Sequence, residues 1–262
     1  MIRNYRDLTR LEMEQVNKDE TIVLIPLGAL EQHGNQAPLG TDDIIAEAMT
    51  DYIRRELEGE PSSEDSDFPM LVFPVIPVGL STEHRNFCGS ITLKPDTYYH
   101  MLYDISTSLV HHGFKKLAFL VCHGGNAPIV QVLSRELRSE FGISPFILSS
   151  GAFSHPDVTA TISEGNIWDF HGGEMETSMV MAVDPSLVKL DTSEAGIPTA
   201  FKDNQALRPY GNVSIGWKTA DGKPIGIGGD PSGATAEKGR IILETSAKVL
   251  VPGLREIRAW KG

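Results

Sequence analysis

Glu31, His33 and Asp42 fall within twelve positions of one another in the stretch LGALEQHGNQAPLGTDD, residues 27–43. Carboxylates and an imidazole are the ligands that a divalent cation takes. Gly28, Gly34, Pro38 and Gly40 are interleaved with them, and such residues let a loop fold back so that side chains converge. Two further segments carry the same residue types. His123 follows the apolar run LAFLVC directly, with Gly124, Gly125 and Asn126 behind it. His171, Glu174 and Glu176 stand in DFHGGEMETS, ahead of a helical stretch. A mixed set of histidine and carboxylate suits Zn, Mn or Fe, and can hold two ions with a carboxylate such as Asp42 bridging them.

Each segment also has a plainer reading. A lone histidine at a strand end is more often structural than a ligand, and Glu31 with His33 would suit a surface turn. Glu174 or Glu176 could cap the helix that follows. The joint occurrence of three such segments is what points to a metal. His84, in STEHRNF, reads equally as a substrate-pocket residue or as part of a structural loop. His100, His111, His112 and His155 read as surface or helix residues.

The elements that must position these groups follow from hydrophobic periodicity. Residues 21–27 (TIVLIPL), 70–78 (MLVFPVIPV), 117–122 (LAFLVC) and 145–150 (PFILSS) are apolar runs of strand length. Such continuous runs suit strands buried on both faces of a parallel sheet, though Pro74 and Pro77 threaten to bend or end the second. Residues 6–19, 42–57, 96–112, 128–141, 174–183 and 234–259 read as helices. Gly113 stands where a helix is closed by a left-handed residue. Residues 58–67 form a polar, acidic loop, and 190–232 are rich in Gly and Pro. Strand and helix alternate at least three times, which predicts an α/β domain with a mainly parallel sheet. In such domains active sites lie where strands end. The ligand-type residues occupy those places.

At 262 residues the chain suits one domain, taken here as 1–262, with ample length for a core. Lys plus Arg is 23 against 35 Asp plus Glu, a net charge of −12. That argues against a nucleic-acid or anionic-membrane partner. Cys88 and Cys122 are the two cysteines, which is no disulfide framework and fits a reducing compartment. The N-terminal stretch has no signal-peptide core, and no apolar run approaches the ~20 residues of a membrane span. A cytoplasmic enzyme is the expectation.

Five stretches together resemble the creatininase family (creatinine amidohydrolase and relatives): IPLGALEQHGNQAPLGTD, GLSTEHRNFCGSITL, LVCHGGN, HGGEMETS and GIGGDPSGATAEKGR. They occur in the family's order and span most of the chain. The resemblance implies a three-layer α/β/α fold, a divalent metal centre that is usually binuclear, and a homohexamer. It implies hydrolysis of a carbon–nitrogen bond other than a peptide bond, in a small cyclic or formyl amide. By motif position Glu31, His33, Asp42 and His123 match the metal ligands. Creatininase itself takes a further ligand from a Glu two residues after the second histidine, where this chain has Gly125. Glu174 is the expected substitute, with Glu176 held in reserve. His171 matches the proton donor, with Glu176 to orient it. Gly124, Gly125, Asn126 and His84 are expected at the substrate. Asn35, Gln36 and Ala37 depart from the family's Pro, His and Leu, and Cys88 replaces its usual Pro. The family also holds formamide hydrolases, a peptidase of redox-cofactor maturation and a hydrolase of an oxidised inositol. Two readings stand apart from metal-dependent hydrolysis: a cysteine hydrolase using Cys88 with His84, and a metal- or small-molecule-binding protein without activity.

Overall fold

The computed structural model describes residues 1–59, 67–164, 166, 168–196, 199–201, 204–209, 212–221 and 225–261. At its centre is β2 (Ile22–Leu27), whose six residues are all buried. It has no alternation because both of its faces are covered, as in parallel sheets generally. On one side it pairs with β4 (Lys116–Val121), in register from Ile22 opposite Lys116 to Leu27 opposite Val121. On the other side it pairs with β3 (Met70–Val72). β1 (Ile2–Asn4) lies outside β3 and β5 (Ser144–Ser149) outside β4, giving the order β1-β3-β2-β4-β5 with every pair parallel.

Alternate strand residues send their side chains into two separate cores. Ile22, Leu24, Ala118, Leu120 and Leu148 face α2 (Thr41–Glu58), α6 (Glu174–Val183) and α7 (Ala236–Ala259) through Ile45, Met49, Met179, Ile242 and Leu254. Val23, Ile25, Leu117 and Phe119 face α3 (Pro95–His111) and α4 (Ala127–Phe141) through Tyr98, Leu102, Val130 and Leu133. The result is the expected α/β/α layering. Each buried Val, Leu, Ile, Phe or Met among them contributes about 1.5–3 kcal/mol relative to exposure.

Several boundaries differ from the sequence reading. β3 is three residues long, because Pro74 and Pro77 cannot donate to the ladder; one bridge, Leu27 to Ile76, extends the pairing beyond it. Residues 6–19 are not one helix. They divide into a tight turn at Tyr5–Asp7 and α1 (Arg10–Gln15), which starts on a capping box of Thr9 and Glu12. β1 and the one-turn α5 (Pro156–Thr159) were not expected. The acidic loop at 58–67 falls largely outside the described residues, as do parts of 190–232.

The chain leaves β2 for β3 on one side, and leaves β4 for β5 on the other. The crevice at the carboxyl ends of β2 and β4 is therefore the switch point of the sheet, the place where such folds bind ligands. Asn126 ties the loops there together. Its Nδ2 donates to Gly28 O at 2.9 Å and its Oδ1 accepts from Leu80 N at 3.0 Å. Three strand ends are thus joined by one buried amide.

Candidate metal centre

The loop after β2 is held by its own backbone and by its neighbours. Glu31 N donates to Leu39 O at 2.9 Å, and Ile91 N donates to Leu30 O at 2.8 Å. Gly34 turns the chain with φ +76°, and His33 bridges back to Ala37. Asp42 follows in the first turn of α2. These constraints bring Glu31, His33 and Asp42 to one point, where each is at most 1 % exposed.

His123 reaches the same point from the end of β4. Its Nε2 lies 3.3 Å from Glu31 Oε2, and its Nδ1 lies 3.5 Å from Asp42 Oδ2. The other Asp42 oxygen, Oδ1, is 3.7 Å from His33 Nε2. Asp42 therefore faces two histidines from two loops, one with each oxygen, as a bridging carboxylate must. Glu176 completes the group, its Oε2 3.6 Å from His33 Nε2.

Glu174, the expected fifth ligand, points elsewhere. It pairs with Lys238 and accepts from Ser163 Oγ at 2.9 Å and Asn166 Nδ2 at 3.0 Å. Two residues apart on a helix means about 200° apart around its axis, so Glu174 and Glu176 cannot serve one site. Glu174 anchors α7 to α6, and Glu176 faces the cluster.

His171 and His84 stack beside these groups. The His171 ring centroid is 4.4 Å from that of His33 and 4.1 Å from that of His84. His171 Nδ1 lies 3.6 Å and His84 Nε2 3.2 Å from Glu31 Oε1. Gln32, between Glu31 and His33, was not singled out by the sequence. Its Oε1 accepts from Gly34 N, and its Nε2 faces Gly226 O, His84 Nδ1 and His171 Nε2. Thr219 Oγ1 also reaches His84 Nδ1, at 2.7 Å. Nothing in residue type marks either position, because both roles arise only when distant loops meet.

Other expected contacts resolve differently. Asn126 is buried and engaged as a brace, so it does not face a substrate. Gly124 is exposed with open space beside its Cα. At Gly125 a side chain would run into Leu80 O and His123 Nε2, so no carboxylate fits there. Gln36, a departure from the family pattern, donates to Gly172 O at 2.7 Å and braces the first loop against the start of α6. Cys88 is exposed, whereas His84 is buried with Gln32 and Thr219 at one nitrogen and Glu31 at the other, which leaves no nitrogen for a thiol.

The electrostatics call for a cation. Glu31 Oε1 and Oε2, His33 Nε2 and Asp42 Oδ2 are all buried without a hydrogen-bond partner. Such atoms cost about 1–3 kcal/mol each when left so. Burial raises the Glu31 pKa to about 8, against the opposing pull of His123. Burial alone would lower that of His33, but Asp42, Glu176 and Glu31 raise it to about 10. Protons thus take the place of cationic charge. Glu31, His33 and Asp42 offer atoms all within 4.8 Å of one another, as do His33, His171 and Glu176. His33 Nδ1 lies 3.1 Å from Glu31 O, which directs Nε2 inward in the manner of a metal-ligating histidine. The donor set fits a divalent metal.

Comparison with known proteins agrees with this geometry. The creatininase (creatinine amidohydrolase) family model matches residues 6–252. The mycofactocin precursor peptide peptidase of Mycobacterium ulcerans is 31% identical over 221 residues, 84% of this chain and 79% of that protein. The creatinine amidohydrolase of Pseudomonas putida is 28% identical over 267 residues, 95% of each. The structure described as creatininase Mn superposes with a TM-score of 0.76 at 25% identity, covering 96% of this chain and 97% of that one. The chain belongs to the creatininase family, hydrolases that act on carbon–nitrogen bonds.

Proposed function

We propose that the chain is a metal-dependent amidohydrolase, acting as a single domain, in which Glu31, His33, Asp42, His123 and Glu176 hold two divalent ions of Zn, Mn or Fe. The observation that carries this reading is Asp42, which turns one oxygen to His33 and the other to His123 among buried atoms that have no other partner. When bound, such ions would acidify a water and polarise the amide carbonyl. The protein's own groups supply the rest. His171 Nδ1 takes the proton of the attacking water and returns it to the leaving nitrogen, a transfer worth about 10² to 10⁴ in rate. A main-chain amide of Gly124 or Gly125 is the donor offered to the developing oxyanion, Gly124 having open space beside it.

The substrate read from the family resemblance is a small cyclic or formyl amide. The peptidase relative at 31% identity and the blocked position at Gly125 favour an amide other than creatinine, with peptide amides among the candidates. Dialysis against a chelator should abolish turnover and zinc or manganese should restore it. Full activity in protein shown to be metal-free overturns the reading. A screen of creatinine, formamidopyrimidines, short peptides and cyclic inositol ketones then assigns the substrate.

A further inference from the structure

We propose that Gln32 is a positioning residue that fixes the tautomers of His84 and His171, so that one ring presents an N–H to Glu31 and the other presents a bare nitrogen. The proposal rests on the reading above only in taking the surroundings of Glu31 as the reaction site.

The orientation of the Gln32 amide is settled twice. Gly34 N donates to Oε1 at 2.9 Å, so Oε1 is the acceptor end. Nε2, at the other end, meets the carbonyl of Gly226, which can only accept. One Nε2 hydrogen is thereby used. The second has two neighbours, His84 Nδ1 at 2.9 Å and His171 Nε2 at 3.2 Å. The nitrogen that receives it must be unprotonated.

The main chain of Gln32 decides between them. His171 Nε2 lies 2.9 Å from Gln32 O. Two lone pairs at that distance repel, so His171 carries its hydrogen on Nε2 and donates it to that carbonyl. The second Gln32 hydrogen therefore goes to His84 Nδ1. Thr219 Oγ1, 2.7 Å from the same nitrogen, must then turn its hydrogen to Nδ1 as well, in place of Glu83 O at 3.0 Å.

The consequences appear on the opposite side of each ring. His84, bare at Nδ1, must carry its hydrogen on Nε2, 3.2 Å from Glu31 Oε1. That turns the positive N–H end of the ring, and not a lone pair, toward one oxygen of the carboxylate, at a separation that attracts it without a hydrogen bond. His171, protonated at Nε2, has a bare Nδ1, 3.6 Å from the same oxygen. This is the tautomer that accepts a proton from water before delivering it to a leaving group. His84 is thus a positioning residue, in place of the substrate contact expected from the sequence.

Long-range proton–nitrogen correlation spectra of ¹⁵N-histidine-labelled protein, zinc-loaded and metal-free, test this directly, with His84→Gln and His171→Gln for assignment. Both rings should show the Nε2–H pattern in the wild type. In Gln32→Met, His84 should move to the Nδ1–H form, while His171 keeps Nε2–H because its partner is main chain. Zinc affinity should fall 10- to 100-fold, as for other partners that orient ligands. An Nδ1–H form of either ring in the wild type overturns the proposal, as does a folded Gln32→Met protein with His84 unchanged. The wild-type spectrum decides the tautomers even if the variant does not fold. Tautomers as assigned in a protein that binds no zinc support this inference and overturn the metal reading instead.

Discussion

Replacing Glu176 by Gln keeps its bulk and its hydrogen bond from Gly172 N but removes the charge facing His33 Nε2. Zinc affinity should fall by about 100-fold, the upper range seen for groups that tune a metal site, and turnover should fall with it. Glu174→Gln should behave differently. It leaves Lys238 against a neutral amide and breaks a pair in which Glu174 is fully buried. The cost is about 3 kcal/mol, the low end for a buried pair because Lys238 is partly exposed. Zinc stoichiometry should be unchanged, while the melting temperature drops by roughly 6–12 °C. Metal analysis and thermal unfolding of the two variants separate the roles; loss of zinc in Glu174→Gln with retention in Glu176→Gln would reverse the assignment. The sequence left this choice open for a physical reason. HGGEMETS states that two carboxylates lie on opposite sides of a helix, but which side meets His33 depends on how α6 packs. Gln32 was hidden similarly, its role existing only once Gly226, His84 and His171 have come together.

At the scale of elements, α6 and α7 come into backbone contact at Gly239. A Cβ there would run into Ser178 O. Gly239→Ala tests whether this approach is required. Alanine favours the helix by about 1 kcal/mol, but overpacking costs about 1–3 kcal/mol or more where backbone is the obstacle. The variant should therefore melt below the wild type; a higher melting temperature would show that the helices move apart freely. The elements themselves were largely legible. β2 and β4 stood out as unbroken apolar runs because both faces of the sheet are covered, and α2, α3, α4 and α6 fell within a residue or so of their expected bounds. β1 was not legible. Three residues with one buried side chain, Ile2, carry no periodicity, and the strand exists only through its pairing with β3.

For the whole molecule, the buried cluster makes stability depend on pH in a way the metal should cancel. In the metal-free protein burial holds the Glu31 pKa at about 8, and Asp42, Glu176 and Glu31 overcome burial to hold that of His33 at about 10. The unfolded values are about 4.3 and 6.5. Between pH 7 and 8 the folded state thus binds protons that the unfolded chain has released, and stability must fall as pH rises. Burial lowers the pKa of His84 to about 2 and that of His171 well below its ordinary value. Those two rings are neutral when folded, so they cost stability below about pH 6.5, where the unfolded chain protonates them, and do not offset the loss above it. Metal-free protein should therefore unfold more readily at pH 8 than at pH 7. Zinc replaces those protons with fixed charge, so the loaded protein should show a smaller fall, the remainder coming from Asp169 and Asp43, whose pKa values burial raises to about 8 and about 7. At a hundredfold excess over its dissociation constant, zinc should add about 2.7 kcal/mol, or roughly 5–10 °C in melting temperature. Thermal unfolding at both pH values, with chelator and with zinc, measures this directly. A metal-free protein that is equally stable at pH 7 and pH 8 would mean that the carboxylates relax toward water when no ion is bound, and that the cluster is not rigidly built in advance of its metal.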